Sequence, residues 1–213
     1  AKGSVLFPAR MHMLFKGISG VYACANADCN CSHTEGGLTL GEIYLSDGNL
    51  ICPHCGSVVY ELYNDRRCGA LFFKGYVLED DAELHGNVYL WRYPGQLMDH
   101  RMKEVHLFIP TEDFELPIKQ GKNAIKPCYL DVKSGFINFT DDSSAGKPWV
   151  RKLYYCNYSA KGRPQIITFP TCPHCGHQLS TSQLTSFSTR GNQSFSNLIK
   201  SQFQLQPAVP GKN

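Results

Sequence analysis

The chain has 213 residues and a formal net charge of +3, with 42% hydrophobic and 18% charged residues. This balance excludes a disordered acidic or basic tail, and no apolar run approaches the roughly 20 residues that a membrane-spanning helix needs. The first residues lack the pattern of a secretory signal, so we expect a cytoplasmic protein with no membrane partner. The ten cysteines of such a chain favour metal binding over disulfides.

Ten short apolar runs, taken in chain order, predict β-strands. They are rich in Val, Ile, Tyr and Phe, and Gly, Pro, Asn and Asp separate them. The runs cover residues 20–24, 42–45, 58–62, 70–77, 87–93, 105–109, 128–132, 136–139, 149–155 and 165–169. From 193 to 204 the spacing instead predicts a helix, because its apolar residues fall on one face. These residues are Phe195, Leu198, Ile199 and Phe203.

The charge is distributed unevenly along the chain. Residues 1–142 carry 13 Lys and Arg and all 18 Asp and Glu, which gives −5, whereas residues 143–213 carry 8 Lys and Arg and no acid, which gives +8. A segment without carboxylates favours a basic face that meets a polyanion, and a nucleic acid is the predicted partner. The alternative is a lightly charged surface, rich in Ser, Thr and Gln, that happens to lack acids.

One five-residue motif occurs twice, as Cys52-Pro53-His54-Cys55-Gly56 and again at 172–176. Two cysteines separated by two residues and followed by glycine form a tight turn, or knuckle, that directs both sulfurs at one tetrahedral ion. Cys24 and Cys29 precede the first knuckle at zinc-ribbon spacing, Cys-x4-Cys-x22-Cys-x2-Cys. The first predicted zinc site is therefore Cys24, Cys29, Cys52 and Cys55, with Cys31 as the alternative to Cys29.

The second knuckle needs partners from a distant part of the chain. Cys68 is followed by glycine but has Asp65 three residues before it instead of a cysteine. The predicted set is Cys68, Cys156, Cys172 and Cys175, and Asp65 is the open alternative to Cys156 because aspartate is also a zinc ligand. His177 is a further possibility. Both sites are expected to be structural.

Two enzymatic interpretations compete with zinc binding. Cys-Pro-His-Cys also occurs in oxidising thiol-disulfide enzymes, but those place the motif at a helix N-terminus after a strand. Zinc deaminases combine His-x-Glu with Pro-Cys-x-x-Cys, whereas in this chain proline follows Cys52. The chain also lacks an ATP-binding Gly-x4-Gly-Lys loop and an Asp-Glu-x-His box, so its own sequence predicts no ATPase and leaves enzymatic activity open.

Several segments resemble superfamily 2 DEAD/DEAH-box helicases that carry a C-terminal Mrr-associated zinc-binding domain, a group that includes Druantia-type antiphage defence helicases. The similar segments are 10–16, 20–29, 40–45, 52–61, 65–69 and 188–195. The last of these, which contains Arg190-Gly191-Asn192, is the most discriminating. At Asp65–Gly69 the family pattern has a cysteine where this chain has Asp65.

The resemblance implies that the chain is part of a larger ATP-driven DNA translocase, with ATP and Mg²⁺ bound only by the motor. On this resemblance, the chain is expected to help the helicase engage DNA. Its other expected partners are the remaining helicase domains, in the same chain or in another one. The candidate phosphate contacts are Arg10, Lys16, Arg190 and Lys200. A stand-alone zinc-ribbon adaptor for protein interactions and a thiol-disulfide enzyme are the alternatives.

These observations predict an α+β, β-rich fold: a zinc-ribbon module with two cysteine-type zinc sites and a C-terminal helix. Residues 1–76 would hold the first ribbon and half of the second site, and 77–155 a β-rich insertion. Residues 156–180 would hold the second knuckle, and 181–213 a linker and a helix that returns to the helicase body.

Overall fold

A computed structural model describes residues 20–79, 86–94, 101–116, 123–140, 142, 145–160, 163–179 and 184–187. These ranges contain β-strands and no α-helix, which confirms the β-rich part of the predicted fold. The helix predicted at 193–204 lies outside the described residues, so the α part of the α+β prediction has no support in them. None of the described residues forms a helix long and apolar enough to cross a membrane.

The described residues form thirteen strands. In chain order they are β1 (Val21–Cys24), β2 (His33–Glu35), β3 (Leu38–Leu40), β4 (Ile43–Tyr44), β5 (Val59–Asp65), β6 (Leu71–Leu78), β7 (Asn87–Tyr89), β8 (Met102–Phe108), β9 (Asn123–Asp131), β10 (Phe136–Asn138), β11 (Val150–Ala160), β12 (Arg163–Ile167) and β13 (Leu184–Ser186). Each of the ten predicted runs overlaps one of them. The short strands β2, β3 and β13 were not predicted, because they lack an apolar run.

Eleven strands form one antiparallel sheet in the order β4-β1-β5-β6-β8-β11-β9-β10-β7, with β12 beside β11 and β13 beside β5. Immediately after β7, Trp91 forms a two-way backbone bridge with Tyr76 of β6, at N–O distances of 2.7 and 2.8 Å. This bridge closes β6, β8, β11, β9, β10 and β7 into a ring. Strands from the predicted segments 1–76, 77–155 and 156–180 all belong to this sheet.

Alternation along the strands divides the buried side chains between two faces of the sheet. Phe73 belongs to the main core inside the ring, whereas its neighbour Phe72 packs on the opposite face with Phe108 and Phe169. A third small cluster contains Tyr22 and Val59. The second and third clusters each include cysteines, so each predicted metal site adjoins its own small patch of core.

Candidate metal centres

The first candidate centre forms where β1 ends and β5 begins. Because β1 and β5 pair with Cys24 opposite Val59, the turn that starts at Cys24 lies beside the knuckle at 52–55. The Sγ atoms of Cys24 and Cys55 are 3.5 Å apart, and those of Cys29 and Cys52 are 3.8 Å apart. A tetrahedral zinc ion with Zn–S bonds of about 2.3 Å requires sulfurs about 3.8 Å apart. The arrangement therefore fits zinc.

Hydrogen bonds within the knuckle hold the sulfurs in place. The Cys52 amide donates to the Ser57 carbonyl at 2.7 Å and the Gly56 amide to the Cys52 carbonyl at 2.8 Å. Gly56 has a φ of 66°, which glycine adopts without strain. Tyr44 donates its hydroxyl to the Cys52 sulfur at 3.3 Å. This turn forms as the motif predicted.

One cysteine of the first group, Cys55, ionises to the thiolate more readily than an ordinary cysteine. Burial opposes ionisation of Cys55, but hydrogen bonding with Ser57 and with the thiols of Cys24 and Cys29 outweighs it and lowers the pKa of Cys55 to about 6. Burial raises the pKa of Cys24. A divalent cation at the centre would stabilise all four thiolates, since the thiolate is the form that binds metal.

Cys31 lies beside the first group but outside it. The four ligand atoms that come within 4.8 Å of one another belong to Cys24, Cys29, Cys52 and Cys55. Cys31 instead forms a second, more exposed group with Glu42 and His54. The structure thus brings together the four cysteines that the sequence analysis preferred. Cys29, and not its alternative Cys31, lies with the other three.

The second candidate centre consists of Asp65, Cys68, Cys172 and Cys175. The Sγ atoms of Cys68 and Cys172 are 3.5 Å apart, and the Cys68 sulfur lies 3.2 Å from Asp65 Oδ2. The centre joins the turn between β5 and β6 to the knuckle after β12, which are more than 100 residues apart in sequence.

Cys156, which the sequence analysis preferred as the fourth ligand, does not belong to this group in the described structure. It lies within β11, where its backbone pairs with Ile125 and Ile167 on either side. Its side chain packs with Phe72 and Phe108 in the second core cluster. Asp65, which the sequence left as the alternative, instead supplies the fourth ligand atom of the group.

The turn at Asp65 has the same hydrogen bonds as the knuckle at Cys172. The Asp65 amide donates to the Ala70 carbonyl and the Gly69 amide to the Asp65 carbonyl, at 2.9 and 2.8 Å. The corresponding bonds that start at Cys172 are both 2.9 Å, and Gly69 and Gly176 have φ values of 78° and 75°. Asp65 therefore occupies a cysteine position in a third knuckle. The sequence signal was glycine four residues after Asp65, as in both Cys-Pro-His-Cys-Gly motifs.

The Asp65 carboxylate has two further close contacts in this centre. Its Oδ1 accepts the Arg67 amide at 3.0 Å, and His177 Nε2 lies 3.4 Å from its Oδ2. Burial opposes the charged carboxylate, but the Arg67 amide and the thiols of Cys172 and Cys68 outweigh it and lower the pKa of Asp65 below its ordinary value. His177 also contacts the Cys175 sulfur through Nδ1 at 2.7 Å. His177 thus contacts one member of the group, Cys175, and lies close to another, Asp65, without forming an aligned hydrogen bond to it.

The predicted DNA contacts cannot be placed, because Arg10, Lys16, Arg190 and Lys200 all lie outside the described residues.

Gly41 allows its own backbone to lie close against the backbone of Cys24 and Asn26, next to the first centre. A Cβ atom at Gly41 would lie 2.7 Å from the carbonyl oxygens of Cys24 and Asn26, and the Cys24 amide donates to the Glu42 carbonyl at 2.8 Å. Backbone atoms cannot move aside cheaply, so we expect Gly41→Ala to lower the free energy of unfolding by about 1–3 kcal/mol and to weaken zinc retention. Urea denaturation and zinc analysis measure both effects. Gly48→Ala is the matched control, because only Ser46 Oγ lies near its added Cβ, at 3.9 Å.

Comparison with known proteins relates the chain to a family and to one curated protein. The family model described as the YjiV N-terminal domain matches residues 44–190. The chain is also 29% identical, over 99% of its length, to the Druantia protein DruE of Escherichia coli strain UMEA 4076-1. It spans 11% of the length of that relative. No solved structure matches. Since the family model covers more than half of the chain, the protein belongs to the YjiV N-terminal domain family.

Proposed function

We propose that this chain is a zinc-stabilised accessory region of a longer Druantia-type antiphage defence protein. The observation that carries the proposal is the pair of groups of four potential ligands, whose ligand atoms lie within 4.8 Å of one another in each group. Groups in which the protein supplies all four ligands leave no position for a substrate, so the zinc would be structural and would contribute folding energy. Similarity to DruE supports the defence context.

We further propose that the region helps an ATP-driven helicase motor, located elsewhere in the whole protein, to engage DNA. The support in the described residues is a row of aromatic side chains on the outer face of the sheet. Trp91, Tyr89 and Phe136 are 45%, 37% and 46% exposed. The Tyr89 ring lies 4.8 Å from Trp91 and 5.4 Å from Phe136, between centroids. Exposed aromatic rings stack on the bases of single-stranded nucleic acid.

Single-stranded DNA is expected to bind this chain with an affinity that falls steeply as salt rises, because contacts with phosphates release counterions. Replacing both Trp91 and Phe136 with alanine should weaken binding at least about tenfold, since base–aromatic stacking contributes about 1–3 kcal/mol per base. Fluorescence anisotropy with a labelled oligonucleotide measures both effects. Leu45→Ala is the control, because Leu45 is also an exposed apolar side chain but carries no ring.

A protein-interaction adaptor is the second candidate. Four exposed apolar side chains around the first centre favour it, because solvent-exposed apolar patches often contact another domain. They are Ile43, Leu45, Leu50 and Ile51. An adaptor would show no salt-dependent DNA binding and no effect of the Trp91 and Phe136 substitutions.

The thiol-disulfide interpretation has less support. Both Cys-Pro-His-Cys motifs lie in turns between short β-bridges, Ile51–Val58 and Thr171–Gln178, and no helix follows either motif among the described residues. A helix N-terminus is one of the features that activate such thiols. A protein without zinc in reducing buffer would favour this interpretation again.

A further inference from the structure

Three metal-binding side chains form a group of their own beside the first centre. They are Cys31, Glu42 and His54, and their ligand atoms lie within 4.8 Å of one another. None of them belongs to either of the two candidate centres. We call this set the outer group, because His54 is exposed and the other two side chains are half-buried. A metal ion in solution can therefore reach it directly.

The ligand atoms of the outer group select one class of metal ion. They are a sulfur, a carboxylate oxygen and an imidazole nitrogen. Thiolate and imidazole ligands favour zinc and similar divalent transition ions, whereas Mg²⁺ and Ca²⁺ are bound by several oxygen atoms. Zinc that is held by three protein ligands keeps its fourth position open for water or an external ligand. The outer group thus differs in kind from the two centres that have four protein ligands.

The backbone around the first centre fixes two members of the outer group. The Glu42 carbonyl accepts the Cys24 amide at 2.8 Å. Cys31 lies two residues after Cys29, in a turn where the Ser32 amide donates to the Cys29 carbonyl at 2.8 Å. Each of these two members is therefore attached to a ligand of the first centre.

The third member, His54, lies inside the first knuckle, between Cys52 and Cys55. The bond from the Gly56 amide to the Cys52 carbonyl, at 2.8 Å, closes the turn that carries it. Zinc in the first centre would thus hold all three members of the outer group in place before a further ion arrives. Ligands that are already ordered bind more tightly, because less conformational freedom is lost on binding.

The repeated motif provides an internal comparison. His174 has the same position in the second knuckle as His54 has in the first, and it is also exposed. Within the described part of the chain, however, His174 belongs to no group of three or more potential ligands. The sequence Cys-Pro-His-Cys therefore does not create an outer group by itself, and Cys31 and Glu42 are the residues that distinguish the first knuckle.

We propose that Cys31, Glu42 and His54 bind one exchangeable divalent transition ion, such as zinc, with a fourth position open to water or to an external donor atom. The proposal rests on zinc in the first centre, which holds the three ligands, and goes beyond the structural role proposed for that zinc. An exposed site with three protein ligands retains its ion less firmly than a closed site with four. The outer ion should therefore be lost on desalting, while the two structural ions stay bound.

Cobalt titration of the full chain tests this proposal. The chain is loaded with zinc and desalted, so that it retains two ions, and Co²⁺ is then added as a spectroscopic substitute for zinc. Equilibrium dialysis should show one further ion per chain, and the near-ultraviolet charge-transfer band of a Co²⁺–thiolate bond should appear with it. Zinc analysis of the dialysate should show that neither structural ion has been released.

Three single substitutions each remove one ligand of the outer ion: Cys31→Ser, Glu42→Gln and His54→Ala. Each should weaken Co²⁺ binding at least about tenfold, since even groups that only orient metal ligands contribute about 10–100-fold. Cys31→Ser should also abolish the charge-transfer band. All three variants should retain two zinc ions after desalting, because the two centres keep their own ligands. His174→Ala is the matched control and should leave Co²⁺ binding unchanged.

Three results would overturn the proposal. The first is a chain that retains two zinc ions but binds no further Co²⁺, and this result leaves the structural role of zinc intact. The second is Co²⁺ uptake matched by zinc release, because cobalt then replaces zinc in one of the two centres. The third is a further ion that His174→Ala weakens as much as His54→Ala does. A chain that binds no zinc at all contradicts both the outer site and the structural role.

Discussion

Replacement of Cys52 with serine is expected to release zinc from the first centre and to unfold the region around it. Cys52 is fully buried, accepts the Tyr44 hydroxyl and lies in a cluster whose other apolar members are few. Structural zinc contributes about 10–16 kcal/mol to the folding of small zinc modules. A whole domain is stable by only about 5–15 kcal/mol. The loss of this one centre can therefore exceed the stability of the chain.

Zinc analysis and circular dichroism of the purified chain measure this effect. Cys52→Ser should lower the zinc content by one ion per chain and lower the melting temperature strongly, and a chelator should do the same to the unchanged protein. Cys31→Ser is the control, because Cys31 lies beside the first group without belonging to it. If Cys31→Ser removes zinc while Cys29→Ser retains it, then Cys31 rather than Cys29 is the fourth ligand.

The strands and the first centre could be predicted from the sequence, because they depend on patterns that are local in the chain. The run at 70–77 alternates between two faces, and β6 there sends Phe73 into the ring and Phe72 to the opposite side. The four cysteines of the first centre lie within 32 residues, at the ends of two strands that pair directly. Spacing of this kind constrains geometry strongly.

The closure of the sheet and the pairing of Lys74 with His106 could not be predicted, because they depend on registers between distant strands. The bridge between Tyr76 and Trp91 follows from the pairing of β7 with β10, and nothing local to Trp91 predicts it. His106 meets Lys74 only through the register of β8 on β6. For the same reason the sequence left Cys156 and Asp65 as alternatives, since the choice depends on where β11 places its residues.

The second centre predicts a graded response to changes at Asp65. An aspartate in place of a cysteine keeps the number of anionic ligands but supplies a hard oxygen where zinc and thiolate form a softer, more covalent pair. The Asp65 turn already has the knuckle hydrogen bonds and a glycine of positive φ. A cysteine there would require no change of backbone.

Asp65→Cys is therefore expected to keep two zinc ions per chain and to release the second more slowly to a chromogenic chelator. Asp65→Ala should lower the content to one, because three ligands and a buried gap replace a closed centre. His177→Phe should weaken the second site about 10–100-fold, which is the usual cost of losing a group that orients metal ligands. Cys156→Ser is the control and should leave the zinc content at two, since Cys156 is buried in the second core cluster and is not a member of the group. If Cys156→Ser instead removes the second ion and Asp65→Ala does not, the fourth ligand is the Cys156 thiolate and the carboxylate is not a ligand.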